Sequence, residues 1–175
     1  MVIDKSLIEK NFHLKDKLLK IKLVLTDNDG VLTDTGVYFS EKGEELKRFS
    51  IRDGMGVERL RSLANIETGI ITGELSGSVR KRAEKLQIKE LFLGAKDKHL
   101  LLEDIIKRNN ISLENIAFIG DDVNDIELIK LVGLSASPSD AMLDVRNIVD
   151  YVCEDKGGHG AFREFAELII ALRSG

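Results

Sequence analysis

The sequence holds one cysteine, Cys153, among 175 residues, so neither an intrachain disulfide nor a thiolate metal cage can be part of the fold. Tryptophan is absent and tyrosine occurs only twice, which leaves little on which nucleic-acid bases could stack. Positive charge is not in excess: 26 Lys and Arg face 30 Asp and Glu, a formal net charge of −4, so the chain has no global footprint for nucleic acid or an anionic membrane surface. No apolar run approaches the ~20 residues that cross a bilayer. Residues 1–20 mix charged and apolar side chains every three or four positions, unlike the continuous apolar stretch of a signal peptide. Repeats, low-complexity stretches and linkers are also missing. Together these absences predict a cytoplasmic, single-domain chain over 1–175 with no nucleic-acid or membrane partner. The hydrophobic share of 43% against 32% charged residues supplies a true core and excludes a disordered chain.

Periodicity predicts the organisation. Residues 4–20 form an amphipathic helix with Leu7, Ile8, Leu14, Leu18 and Leu19 on one stripe. The run 21–26 is a short strand that ends abruptly at an Asp- and Gly-containing loop. Residues 36–50 carry two short strands around Gly43, a hairpin signal. From there helices (56–64, 76–86, 97–108, 124–132, 139–145, 161–172) alternate with strands (68–72, 90–93, 116–119, 134–136, 151–153). That alternation implies right-handed crossovers and an α/β, doubly wound, mostly parallel sheet from which the hairpin protrudes. In such a fold ligands sit beyond the carboxyl ends of the strands, so chemistry is expected after residues 26, 71, 93 and 119.

Two of these loops are dense in carboxylates. Asp27 and Asp29 follow the first strand, and Asp121, Asp122 and Asp125 follow residue 119. Carboxylates crowded at strand ends repel unless a cation sits among them, and an all-oxygen donor set suits Mg²⁺. Asp and Asn also favour loops and helix caps for their own sake, but two such turns, each at the end of a short apolar strand, are harder to explain that way. Thr72-Gly73 offers a hydroxyl and an unhindered N–H near a helix start, a way to hold phosphate oxygens. Lys98, at the start of the helix after residue 93, could neutralise carboxylate and phosphate charge.

DNDGVLTD at 27–34, Thr72-Gly73, Lys98 and GDDVND at 120–125, in this order on alternating strands, resemble the haloacid dehalogenase superfamily, whose patterns are DxDGxxTD and GDDxxD. The resemblance spans residues 20–172. It implies that Asp27 is the nucleophile that forms an aspartyl-phosphate and that Asp29 is the general acid and base. It implies a Mg²⁺ held by Asp27, the Asp29 carbonyl and Asp121, with Asp122 or Asp125 behind them. Lys98 would offset negative charge, and Thr72 with Gly73 would hold the remaining phosphate oxygens.

The span between Asp34 and Thr72 is too short for the cap domain that many members insert. The chain is therefore similar to the capless ulosonate-phosphate phosphatases, in which the hairpin builds a homotetramer and a neighbouring subunit walls the site. RDGMGV at 52–57 and KGGHGAFREF at 156–165, with Arg163, resemble segments of the same group. The substrate it implies is a sugar-acid phosphate, either an eight-carbon 3-deoxy-octulosonate 8-phosphate or a nine-carbon nononate 9-phosphate. Glu74, where the eight-carbon enzymes usually carry Arg, and Lys85 on the following helix favour nine carbons. Two alternatives stay open: a catalytically reduced oligomerisation module of a sialic-acid or cytidylyltransferase pathway, and a phosphatase for another small phosphate.

Overall fold

In chain order the strands are β1 (Leu23–Thr26), β2 (Thr33–Ser40), β3 (Gly43–Phe49), β4 (Glu67–Ile71), β5 (Glu90–Phe92), β6 (Ile116–Ile119), β7 (Leu134–Ser137) and β8 (Tyr151–Val152). The helices are α1 (Lys5–Lys10), α2 (Lys15–Lys20), α3 (Ile51–Arg59), α4 (Gly77–Leu86), α5 (Leu102–Asn109), α6 (Ile126–Leu131), α7 (Leu143–Arg146) and α8 (Ala161–Ser174). The computed structural model describes residues 5–174, and of residues 5–7 and 174 the backbone alone; residues 1–4 and 175, and the side chain of Leu7, lie outside the described residues.

Six strands form one parallel sheet in the order β5-β4-β1-β6-β7-β8, and β2 with β3 forms a separate antiparallel hairpin. The central strands are buried on both faces, so they read as continuous apolar runs, and the pleat deals their side chains to two cores. Val24, Ala117 and Ile119 join α2, α3, α4 and α8 on one side of the sheet. Leu23, Leu25, Ile116 and Phe118 join α5, α6 and α7 on the other. This is the doubly wound α/β architecture expected from the alternation.

Element ends differ from the sequence expectation where local capping decides. The single N-terminal helix expected over 4–20 is instead α1, a 3₁₀ turn at Phe12–Leu14, and α2. The break rotates the second segment, so that Leu14 and Leu18 are buried while Leu19 is exposed. The helix expected from 56 begins at Ile51, because the Ser50 hydroxyl accepts from the Asp53 N–H at 3.2 Å and caps it. Two glycines inside α3 obscured that start in the sequence. Gly56 has a packing reason: a Cβ there would lie 3.0 Å from the Arg163 Cα, a tight contact that would push α3 and α8 apart by a few tenths of an ångström. The helix expected from 97 opens as a 3₁₀ turn at Lys98–Leu101 before α5. No helix of the described residues is long and apolar enough to cross a membrane.

Candidate active site

The parallel pairing of β1 with β4 and β6 puts the three following loops at one edge of the sheet. The ladder extends one residue past β1: the Asp27 N–H donates to the Ile119 carbonyl at 3.0 Å, so the sheet itself fixes Asp27. Its Oδ1 accepts from the Asn28 N–H at 2.7 Å, and its Oδ2 lies 2.9 Å from the Lys98 ammonium.

Lys98 is almost wholly buried, and its Nζ also contacts Asp125 Oδ1 at 2.7 Å. Asp125 in turn accepts from the Asp121 N–H at 3.0 Å through Oδ2. A capping box explains this placement: Asp122 opens the turn after β6 and accepts from the Val123 N–H, while Asp125 reaches back to its start. Of the two outer carboxylates expected there, Asp125 is therefore buried against Lys98, and Asp122 stays exposed at the rim.

Oxygens of Asp27, Asp121 and Asp125 all lie within 4.8 Å of one another. Their charges strain each other. Burial first, then Asp27, Asp125 and Asp122, push the Asp121 carboxyl up to about 8. Burial and Asp125 raise Asp27 as well, against the opposing pull of Lys98. Burial works against the Lys98 ammonium, but Asp27 and Asp125 outweigh it and hold its pKa above the ordinary lysine value.

These residues fit a divalent cation. Asp121 Oδ1 is buried without a hydrogen-bond partner. A Cβ at Gly30, whose φ is +85°, would collide with the same carboxylate, so the loop after β1 must be glycine for Asp121 to enter. Three hard oxygen groups with one ammonium among them leave negative charge that a cation such as Mg²⁺ would offset.

A cavity of about 340 Å³ opens above the cluster, lined by Asp27, Asp29, Thr72, Gly73, Glu74 and Asp121, among others. The Thr72 hydroxyl accepts from the Glu74 N–H at 3.2 Å, which fixes its orientation toward the cavity loop. Two expected site residues are not brought here. Lys85 is exposed in the last turn of α4, some ~12 Å along the axis from the helix start at 1.5 Å per residue. Arg163 lies on α8, where its Nε donates to Glu167 at 2.7 Å and its N–H to Asp53 at 3.0 Å.

One residue that sequence reasoning missed does reach the site. The side chain of Lys47, on β3, is buried and donates to both oxygens of Asp29, at 2.6 and 2.7 Å. No local signal in the sequence marked it, because its contact with Asp29 spans 18 residues.

The protein family described as haloacid dehalogenase-like hydrolase matches residues 58–164. A 3-deoxy-D-manno-octulosonate 8-phosphate phosphatase of Haemophilus influenzae is 39% identical over 157 residues, which cover 90% of this chain and 87% of that protein. The cobalt-bound structure of the Haemophilus influenzae phosphatase superposes with a TM-score of 0.87 at 39% identity, covering 90% of this chain and 92% of that one. The Moraxella catarrhalis octulosonate 8-phosphate phosphatase, solved with a magnesium ion, a phosphate ion and the sugar acid, gives a TM-score of 0.88 at 34% identity, covering 93% and 92%.

Proposed function

The chain belongs to the haloacid dehalogenase-like hydrolases and is a phosphoric monoester hydrolase; from that premise we propose that it hydrolyses a 3-deoxy-2-ulosonate phosphate with Mg²⁺, as one capless domain in the cytoplasm. The observation that carries this reading is the Asp27–Lys98–Asp125–Asp121 cluster at the floor of a cavity that also holds Asp29 and Thr72.

In this reading an Asp27 oxygen attacks phosphorus, and the bond from phosphorus to the sugar oxygen breaks. Asp29 gives that oxygen its proton, leaving the sugar alcohol and an aspartyl-phosphate. Water then attacks phosphorus, Asp29 takes its proton, and the Asp27–phosphorus bond breaks to release inorganic phosphate. Lys98 holds Asp27 ionised and oriented; Thr72 and the Gly73 N–H hold peripheral phosphate oxygens. Asp27, Asp121 and the Asp29 carbonyl would hold the cation, with Asp125 and Asp122 behind them, and the bound cation supplies positive charge opposite the phosphate.

Glu74 at the cavity wall favours the nine-carbon substrate. A carboxylate accepts hydrogen bonds from the hydroxyls of a longer sugar and repels a substrate carboxylate. The names of the relatives favour eight carbons. The test is kcat/KM for phosphate release from both substrates, with Mg²⁺ and with excess chelator. A preference for nine carbons that chelator abolishes is expected. Hydrolysis indifferent to chelator would overturn the cation, and a preference for eight would reduce Glu74 to a surface acid.

The same proposal includes a homotetramer assembled through the hairpin. Tyr38, Phe39 and Leu46 are 65%, 73% and 63% exposed there, an apolar surface that an edge-bearing hairpin does not leave open to water without reason. Sedimentation should show a tetramer that Leu46→Lys dissociates; a monomer at every concentration would refute the assembly.

A further inference from the structure

The hairpin reaches the Asp29 carboxylate of its own chain through two side chains, Thr33 of β2 and Lys47 of β3. Lys47 pairs in register with Val37, and both are half-buried, while the neighbouring pair Tyr38 and Leu46 faces outward. The pleat therefore sends Lys47 inward. Between the pairs Thr33–Phe49 and Val37–Lys47 the register shifts, leaving residues 34–36 opposite one residue of β3. Thr35 in this bulge has φ +65°, which a β-branched residue rarely adopts. The bulge bends the hairpin toward the loop after β1. Its base is pinned by Arg82, which stacks 5.6 Å from the Phe49 ring centroid and donates to the Ser50 carbonyl at 2.7 Å.

Among the described residues Lys47 is the one that reaches both oxygens of Asp29. Thr33 and Asn28 contact only Oδ1, at 3.3 and 3.1 Å. Lys47 also lies 3.4 Å from Glu44, whose carboxylate accepts from the hydroxyl of Ser76, the N-cap of α4. A chain of four side chains, Asp29–Lys47–Glu44–Ser76, thus runs from the loop after β1, at the cavity, to the start of α4.

We propose that Lys47 is a positioning residue for the reaction: it holds the Asp29 carboxyl in line for proton transfer and makes that alignment depend on the docked hairpin. This rests on the phosphatase reading with Asp29 as acid and base. Docking alone does not call for such a residue. An ammonium with 1% side-chain exposure between two carboxylates is desolvated, and apolar residues of similar volume commonly anchor as well or better. What the ammonium adds is a fixed carboxyl orientation, since without it Asp29 keeps only two neutral contacts on one oxygen.

Leaving-group dependence tests this. An alkyl phosphate needs a proton on its departing oxygen, whereas nitrophenolate departs without one. Steady-state kinetics with 3-deoxy-D-manno-octulosonate 8-phosphate and with p-nitrophenyl phosphate should show Lys47→Met losing about 10–100-fold in kcat/KM on the sugar phosphate, part of what a general acid contributes, with little loss on the aryl ester. Lys47→Arg should recover most of the loss. Lys47→Gln, with one neutral donor, should fall between and serves if the methionine variant does not fold. Asp29→Asn is the control and should show the same leaving-group pattern more strongly. Equal losses on both esters, or none, would overturn the role of Lys47 while leaving the phosphatase reading intact. A wild-type protein that hydrolyses neither ester, or an Asp29→Asn variant without the pattern, would overturn that reading and this inference with it.

Discussion

Asp27→Asn is expected to lower kcat by at least about 10⁴-fold, the scale on which removing a covalent nucleophile acts, while leaving the fold about as stable. The two halves of this prediction have one cause. The Asp27 carboxyl is raised in pKa by burial and by Asp125, so its ionised form is held in the fold against repulsion. An amide of the same shape removes that repulsion, and its one oxygen can still accept from the Asn28 N–H, whose present partner is Asp27 Oδ1 at 2.7 Å, while its NH₂ replaces the oxygen that lies 2.9 Å from Lys98, so relief of repulsion offsets one lost ion pair. Lys98 keeps Asp125 at 2.7 Å. Phosphate release should therefore vanish, and the thermal midpoint measured in chelator should stay level. Activity within 100-fold of the wild type would place the nucleophile elsewhere. A collapse of the midpoint would show that Asp27 is needed to hold the loop and would void the contrast between function and stability.

What could be read from the sequence, and what could not, divides along the range of the interaction. Asp27, Thr72, Lys98 and Asp121 each follow a short apolar strand or open the next helix, so the topology alone brings their loops to one edge of the sheet. Burial of Asp125 rather than Asp122 depended on a capping box inside a six-residue turn, which the spacing permitted without selecting. Glu74 and Lys85 stand eleven residues apart, and a helix carries its last turn away from its first, so Glu74 lines the cavity while Lys85 is absent from its lining. Lys47 was invisible for the opposite reason. Its contact with Asp29 spans 18 residues and depends on a bulge at Thr35, and nothing local in ELKRF says which way a bent hairpin will lean.

Lys98→Met should lower kcat by about 10²–10³-fold, the loss typical of one preorganised charge contact, and should change how stability depends on pH. In the wild-type, metal-free protein the folded Asp121 has its pKa raised to about 8, while an unfolded aspartate titrates near ~3.9. Between those values the folded state binds more protons than the unfolded one, so stability falls as pH rises through this window and is highest on its acid side. Lys98 moderates that fall by lying 2.9 Å from Asp27 and 2.7 Å from Asp125. Without the ammonium three carboxylates face one another uncompensated, and the fall should steepen. Near neutral pH the variant is expected to be about 3–5 kcal/mol less stable than wild type, the range for removing one partner of a buried pair. Below about pH 4, where carboxylates are protonated, the wild type must bury an ammonium among neutral acids, and the variant should be equal or more stable. Urea unfolding in chelator at several pH values would show two curves that cross. Parallel curves would mean that Lys98 acts through packing alone, and the cluster would lose its standing as an electrostatic unit.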